Sequence, residues 1–448
     1  MHKSRQSFLG EVRDLIKSRE AKEFVAAELD HHIKEAKNKW MEKGFVETVA
    51  EEKAVVQMGS PVTLGQQLNK LHRPKVDWLM VILLVTTMGL GFLPILFIET
   101  EFLLRFNGDT SYFAIQKVGY SLVGGMLAFS IMVINYRRLE RFGWLFYGVG
   151  MLLLVLLQVS PDLRNGKSLL VIGPYSFDSL ITMPFFLLAW ASFFNHKKLK
   201  LWHLGLLFIV SFWSLLNTAN LPAVYFYIVM VFGLFWCSRF SRKIKLTITG
   251  GIVGSFLLLV FIVWPSMKMY QMVRLLAFVN PEQYAEGEGY MMLLLQEHIS
   301  KAGWFGNALN SGTIPDVHAD FVFAGFTYYF GWLAALALFT VLALFIVRIM
   351  MIARNVHDPF GKLLLVGAVA LYTVQLVSNV GMIVGLIPIT SISLPFISYG
   401  LMPVVLNAFI MGVVLSVYRR KDLTSMRSVQ PQQQGRVLPQ FDESKVPE

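Results

Sequence analysis

The sequence holds a single cysteine, Cys237, in 448 residues. One thiol excludes an intramolecular disulfide and any cysteine-based zinc site. Charge is scarce as well: Asp, Glu, Lys and Arg make up 15% of the chain, against about 25% in soluble domains. Acidic residues are the scarcer sign, 29 against 40 Lys and Arg, which leaves a formal net charge of +11. The chain is 55% hydrophobic, with a mean hydropathy of +0.55, so most of it is predicted to face lipid. The positive charge does not form a nucleic-acid patch. It falls in short loops between apolar runs, the pattern of the positive-inside rule. The polar first 75 residues are not expected to contain a cleavable secretory leader, and no solenoid-type repeat is present.

What is there begins with a small helical domain over residues 1–75. Val25, Leu29, Ile33, Ala36 and Trp40 recur every three or four residues and make one apolar helical stripe. Gly44 is placed to end that helix. Ser60-Pro61 starts another, a cap followed by proline at the first helical position, with Leu64, Leu68 and Leu71 on its apolar face. His31 and His32 lie in the first of these helices with Glu28 and Glu35 nearby; a solvated helical face accounts for them better than a metal site.

From Val76 onward, apolar runs recur, each long enough to cross about 30 Å of hydrocarbon. They are read at 77–98, 112–134, 142–159, 177–194, 201–217, 222–238, 246–265, 321–349, 363–387 and 401–418. The chain is thus predicted to be an all-α polytopic membrane protein of about ten transmembrane helices behind a small soluble helical domain. Lys and Arg collect on alternate loops: Arg137-Arg138 with Arg141, Lys197-Lys198 with Lys200, Arg242-Lys243 with Lys245, Arg354 with Lys362, and Arg419-Arg420-Lys421. The basic side is cytoplasmic, which puts both termini inside and the 267–320 loop outside. Residues 421–448, rich in Gln, Ser and Pro, are expected to form a disordered cytoplasmic tail.

The loop from Met267 to Asp320 is the one long wet connection, and loops of this length in compact folds are usually functional or disordered. It carries aromatics, an arginine and paired turn signals, which favours function. Asp320 stands immediately before an apolar span, where partial desolvation raises a carboxyl pKa and suits it to act as a general base. Asp316, His318, Glu282, Glu286 and Glu288 add donors that could hold a divalent cation (Mg or Mn) with Asp320, although their spacing is not diagnostic. Arg274 either pairs with a phosphate, whose geometry guanidinium matches, or forms an ion pair with Asp320 that orders the loop. Lys117 and Asp178 lie near span ends; they either snorkel to the interface or line a polar cavity. Gln375 and Asn379 share one face of the ninth span, a placement explained by interhelical hydrogen bonds. The segment Pro388–Gly400 holds two prolines and a glycine and cannot continue a regular helix. It is expected to pack beneath the long loop.

These residues resemble the SEDS family (RodA, FtsW and SpoVE type). The likeness is carried by Tyr270-Gln271-x-x-Arg274, Asn280-Pro281-Glu282, Gly289-Tyr290 and Gly303-Trp304-Phe305-Gly306, by Pro315 through Phe321 with Val322-Phe323-Ala324, by Asn379-Val380-Gly381-Met382, and by Leu394-Pro395-Phe396-Ile397-Ser398-Tyr399-Gly400. It covers residues 76–420 and includes the ten-span layout. The resemblance implies a peptidoglycan glycosyltransferase that polymerises lipid II, an undecaprenyl-linked precursor, at the outer face of the bacterial cytoplasmic membrane. It also implies a class B penicillin-binding protein as partner, and it makes Asp320 the catalytic carboxylate. Arg274, His318, Lys117, Asp178, Ser398 and Tyr399 form the candidate substrate-binding set. Phe177-Asp178-Ser179-Leu180, Tyr328-Tyr329 and His318-Ala319-Asp320 depart from the family's Gln-Pro-Ser-Glu, paired glutamates and His-Thr-Asp. The domain of residues 1–75 lies outside the family's usual core. Two other readings are open: a flippase for the lipid-linked precursor, with Lys117, Asp178 and the ninth span lining the path, and a scaffold that recruits the transpeptidase.

Overall fold

The computed structural model describes residues 4–71, 75–97, 110–160, 162–164, 167–263, 269–307 and 314–421. Residues up to Val76 belong to one compact unit, and Asp77–Val417 form a second.

In the first unit, α1 (Arg5–Leu15), α2 (Arg19–Glu42), α3 (Glu47–Gln57) and α4 (Pro61–Leu71) bury a shared core. The predicted stripe Val25, Leu29, Ile33, Ala36 and Trp40 lies in it, with Phe8, Val12, Leu64 and Leu68. The side chain of Leu71 lies outside the described residues. The end of α2 follows from local chemistry. Gly44 adopts φ +91° and donates to Met41 O at 2.9 Å, while Phe45 N donates to Trp40 O at 3.3 Å. This pair of bonds closes a Schellman turn, and the Trp40 and Phe45 rings meet 5.5 Å apart across it. His32 lies 4.0 Å from Glu28 and 3.8 Å from Glu35, and no three metal-ligating groups gather among the described residues.

Ten apolar helical segments follow among the described residues. The first three are α5 (Trp78–Leu90, continued by a 3-10 turn to Phe97), α6 (Thr110–Val133) and α7 (Gly143–Val159). Next come α8 (Met183–Asn195), α9 (Leu201–Leu216), α10 (Leu221–Cys237) and α11 (Arg242–Val263). After the loop region come α14 (Val322–Asn355), α15 (Pro359–Ile383) and α16 (Leu401–Arg419). The helical polytopic class expected from composition is the class observed, and six of these segments are both long and apolar enough to cross a membrane. Helices α8, α15 and α16 sit at the centre: every residue from Phe186 to Phe194 is buried, and α15 and α16 bury most of their length. Some of the polar groups inside pair across helices, which hydrocarbon favours. Trp190 Nε1 donates to Tyr227 OH at 2.9 Å, and Asn407 Nδ2 donates to Gln375 Oε1 at 2.9 Å.

Asp77 starts α5 by accepting from Met80 N at 3.2 Å, and its other oxygen accepts from Arg348 Nε of α14 at 2.8 Å. Asp77 is buried, so one carboxylate both caps a helix and fixes it against the long span. Asp77→Ala is expected to cost about 2–4 kcal/mol, from the lost cap and the lost ion pair with Arg348. A thermal melt of the detergent-solubilised protein checks this.

Two corrections to the sequence reading concern backbone. The 267–320 loop is largely helical where described, with α12 (Met269–Val279), a 3-10 turn (Pro281–Tyr284) and α13 (Tyr290–Lys301). Helix α13 forms because Met292, Leu295 and His298 repeat on one face and are buried together. The span expected over 321–349 is a 34-residue helix broken at Gly331, where φ is +85° and ψ is +171°. The chain before it supplies the missing acceptors. Trp332 N donates to Gly303 O at 3.0 Å and Leu333 N to Trp304 O at 3.2 Å, while Asn307 N donates to Tyr328 O at 2.9 Å. Gly306, at φ +91°, lies so close that an added Cβ would sit 2.2 Å from Tyr329 O. The break is thus a backbone-to-backbone latch. A cleft of about 510 Å³ opens beside it, lined by Gln296, Ile299, Trp304, Trp332 and Ile383 among others.

Two small antiparallel hairpins connect α7 to α8. Strands β1 (Leu163–Arg164) and β2 (Lys167–Ser168) pair, as do β3 (Leu170–Ile172) and β4 (Tyr175–Phe177). The second hairpin delivers the chain to Asp178.

Candidate active site

The site grows from the segment after α15 that cannot be helical. Pro388 and Pro395 bar a regular helix, and Phe396 takes φ +61°. The resulting turn closes on itself: Ile397 N donates to Pro395 O at 2.8 Å, Ser398 N to Leu394 O at 3.2 Å, and Leu394 N to Ser398 Oγ at 2.8 Å. Leu394, Phe396, Ile397 and Ser398 are buried.

A second turn, Asp316–Phe321, lies against the first. It is closed by Ala319 N and Phe321 N, which both donate to Asp316 O, at 2.9 and 3.3 Å. The carbonyls of residues 318, 319 and 320 are each held from across the fold. His318 O accepts from Tyr399 N at 2.8 Å, Ala319 O from Ser398 Oγ at 2.6 Å, and Asp320 O from Asn379 Nδ2 at 2.9 Å. Asn379 also donates to Ile392 O at 2.6 Å, so it ties both turns to α15. The Asp320 carboxylate is therefore aimed by main-chain bonds on either side of it. Its own Oδ1 receives one long contact, from Ser393 Oγ at 3.4 Å.

Burial pushes the Asp320 carboxyl above the ordinary aspartate range; Lys167 opposes the shift, and Asp316 and Asp178 reinforce it. His318 is pushed down by burial against the pull of Asp316. Its ring packs edge-on to Tyr399 at 5.8 Å and Phe113 at 6.4 Å. Asp178 caps the turn before α8 by accepting from Leu180 N at 3.0 Å. Burial raises its carboxyl, with the Leu180 N–H and Lys167 opposing. A half-buried lysine from β2 thus sets its field on both carboxylates.

The other candidates fall as follows. Lys117 is fully buried in α6, and its three donors reach Phe396 O at 3.0 Å, Ile397 O at 3.1 Å and Ser398 O at 2.9 Å. It neither snorkels to an interface nor offers a donor to a cavity. Ser398 is spent on Ala319, and Tyr399 OH bonds to Gln116 Oε1. The backbone of Arg274 lies in α12, while its side chain lies outside the described residues. Glu282, Glu286 and Glu288 join no metal-ligating group among the described residues. The described donors therefore do not fit a divalent cation as placed, and no step below is assigned to one.

Sequence reasoning passed over Lys167, Ser393 and a polar-aromatic stripe on α6. Tyr112, Gln116 and Tyr120 repeat every four residues. Gln116 Nε2 donates to Tyr112 OH at 2.6 Å, and Tyr120 OH donates to Gln116 Oε1 at 3.0 Å. The Tyr120 ring meets Tyr399 at 5.8 Å and Tyr175 of the second hairpin at 6.4 Å, which lays that hairpin over the site. The four-residue spacing was the visible signal. At the positions of the family's paired glutamates, Tyr328 is buried with its ring 5.0 Å from His298.

A multi-span helical core that presents one backbone-aimed carboxylate beneath a hairpin is a membrane-embedded enzyme-like architecture. Residues 77–423 match the family model of FtsW, RodA and SpoVE, described as cell cycle protein, and the chain belongs to that family. It is 24% identical over 376 residues to a probable peptidoglycan glycosyltransferase FtsW of Trichlorobacter lovleyi, covering 78% of this chain and 96% of that protein. It is 26% identical over 334 residues to the stage V sporulation protein E of Bacillus subtilis, covering 69% and 88%. Among solved structures, a chain of a peptidoglycan synthase complex that coordinates polymerization and crosslinking superposes with TM-score 0.66 at 25% identity, covering 77% and 98%. The rod shape determining protein RodA of Thermus thermophilus shares the fold, with TM-score 0.55 at 23% identity, covering 77% and 97%.

Proposed function

We propose that this protein is a peptidoglycan glycosyltransferase that polymerises lipid II, with Asp320 as its general base. The observation that carries the reading is the Asp320 carboxylate, fixed by backbone bonds and raised by burial, on the core of a family whose relatives bear that activity in their names. A base is most useful when its pKa is lifted toward working pH. Asp320 takes the proton of the acceptor sugar's 4-hydroxyl as that oxygen bonds to the anomeric carbon of the donor. The bond from the anomeric carbon to phosphate breaks, and undecaprenyl pyrophosphate leaves with the electron pair. Lys167 and Arg274 are the cations that offset the charge developing on it.

In this reading the Asp320 end of the membrane unit faces outward and both termini face the cytoplasm, following the Lys and Arg distribution. Residues 1–75 form a cytoplasmic domain, and a class B penicillin-binding protein crosslinks the product. The flippase reading needs Lys117, Asp178 and the polar face of α15 to line a path. The bonds of Lys117 to three carbonyls, of Gln375 Nε2 to Leu371 O, and of Asn379 Nδ2 to Asp320 O and Ile392 O leave that path without its donors.

The test is the full-length protein incubated with lipid II, with and without its cognate transpeptidase. Glycan strands resolved on a gel are the expected result. No polymer under either condition, combined with translocation of lipid II in liposomes, overturns it.

A further inference from the structure

Lys117 makes bonds that no substrate-binding role explains. Its ammonium has three N–H groups, and all three point at consecutive carbonyls, those of Phe396, Ile397 and Ser398. These residues lie about 280 positions away in sequence, and the lysine is completely buried. Three carbonyls that converge on one point inside an apolar wall are costly to leave unpaired. The turn that brings them together holds Phe396 in a left-handed conformation, φ +61°, which a phenylalanine adopts only under constraint. The ammonium supplies that constraint.

The same turn hands its order on. Ser398 holds Ala319 O and Tyr399 N holds His318 O, the two carbonyls that precede Asp320. One position beyond the turn, α6 grips the chain again through Gln116, whose side-chain oxygen takes both Tyr399 OH and Tyr120 OH. On the far side Gly91 closes the pocket: a Cβ there would lie 2.8 Å from Phe396 O and 3.0 Å from Lys117 Cε. The absence of a side chain at Gly91 is what leaves room for the lysine.

We propose that Lys117 is a positioning residue for Asp320: it sets the 396–398 turn from α6, and the turn sets the carboxylate through Ser398 and Tyr399. The inference rests on the glycosyltransferase reading for its kinetic consequence but not for its structural one. A misplacement of about 1 Å at a reacting group costs on the order of 10²-fold in rate, so the effect falls on kcat and spares substrate affinity.

The experiment uses full-length Lys117→Met, with hydrogen exchange measured over 314–321, 394–399 and 359–383, and with polymerisation kinetics on lipid II. The expected result is exchange at least about tenfold faster in the first two segments alone. With it come a kcat lower by about 10²-fold, a KM within about twofold, and no further loss when Lys117→Met is added to Asp320→Asn. Unchanged exchange in both segments overturns the proposal. So does a raised KM with kcat preserved, the signature of a lysine that binds substrate. If exchange rises everywhere because Lys117→Met does not fold, Ser398→Ala and Gly91→Ala replace it; they keep the ammonium and must loosen the same two segments, and their failure to do so overturns the proposal. If the wild-type protein makes no polymer, the glycosyltransferase reading fails and the exchange measurement alone decides the positioning.

Discussion

Asp320→Asn is expected to abolish glycan synthesis while making the protein harder to melt. Asparagine keeps the volume of aspartate and can still accept from Ser393 Oγ, which approaches Oδ1 at 3.4 Å. The backbone bonds to His318, Ala319 and Asp320 carbonyls do not involve the side chain and survive. Only the capacity to take a proton is lost. Positioned general bases contribute about 10²–10⁴ in rate, so strand formation should fall by that factor with lipid II binding intact. Burial raises the Asp320 carboxyl in the fold, so the folded state disfavours its charged form. The contribution of Asp320 to stability is then fully present below its unfolded pKa and is lost as pH rises through its higher folded value. At neutral pH the wild-type protein carries this cost and the asparagine variant does not. The variant should melt above wild type at pH 7, and the gap should close in acid. Equal melting temperatures across that range would count against a buried carboxylate. The acidic limb of wild-type activity should lie above the ordinary aspartate pKa of about 3.9.

Gly331→Ala is expected to be among the most damaging single-methyl changes in the membrane unit. With φ +85° and ψ +171°, Gly331 occupies a region that belongs to glycine alone, where a side chain costs about 1–3 kcal/mol. Relaxing the backbone is not a remedy, because an added Cβ would sit 2.3 Å from Trp304 O and 2.4 Å from Gly306 N. Both are main-chain atoms of the latch. Displacing them breaks the bonds from Trp332 N to Gly303 O and from Leu333 N to Trp304 O, each worth about 1 kcal/mol. Together the expected loss is about 3–5 kcal/mol, read as a lower melting temperature and reduced yield. Gly250→Ala is the control. It lies within α11 with nothing near its would-be Cβ, and the change should leave stability equal or slightly higher.

Local periodicity was readable without coordinates, and non-local backbone was not. The stripe of α2, the Ser60-Pro61 start of α4 and the Gly44 stop are written in residues within one or two turns of each other. The apolar spans were readable for the same reason. Lys117 could not be placed correctly, because its three acceptors sit about 280 residues away and contribute main-chain atoms, which carry no side-chain signature. Gly331 looks like any glycine in a span; its partners, Gly303 and Trp304, declare themselves only in space. Helix α12 was hidden because it is amphipathic and too short to span, bounded by the polar Asn280-Pro281-Glu282 turn. The departure at Ala319 now has an explanation. That residue serves the site through its carbonyl, which accepts from Ser398, so its side chain can change without disturbing Asp320.

The break in α14 also sets a depth. Its long arm, Trp332–Asn355, rises roughly 36 Å at about 1.5 Å per residue, enough on its own to cross about 30 Å of hydrocarbon. The short arm, Val322–Phe330, adds roughly 13 Å and is not needed for the crossing. In the proposed reading the long arm alone makes the crossing, which puts Gly331 at the hydrocarbon edge and the carboxylate beyond the short arm in the headgroup layer. A lipid whose tail is dissolved in the bilayer holds its phosphates at that level before any protein touches them, so the membrane itself brings the scissile bond to the height of Asp320.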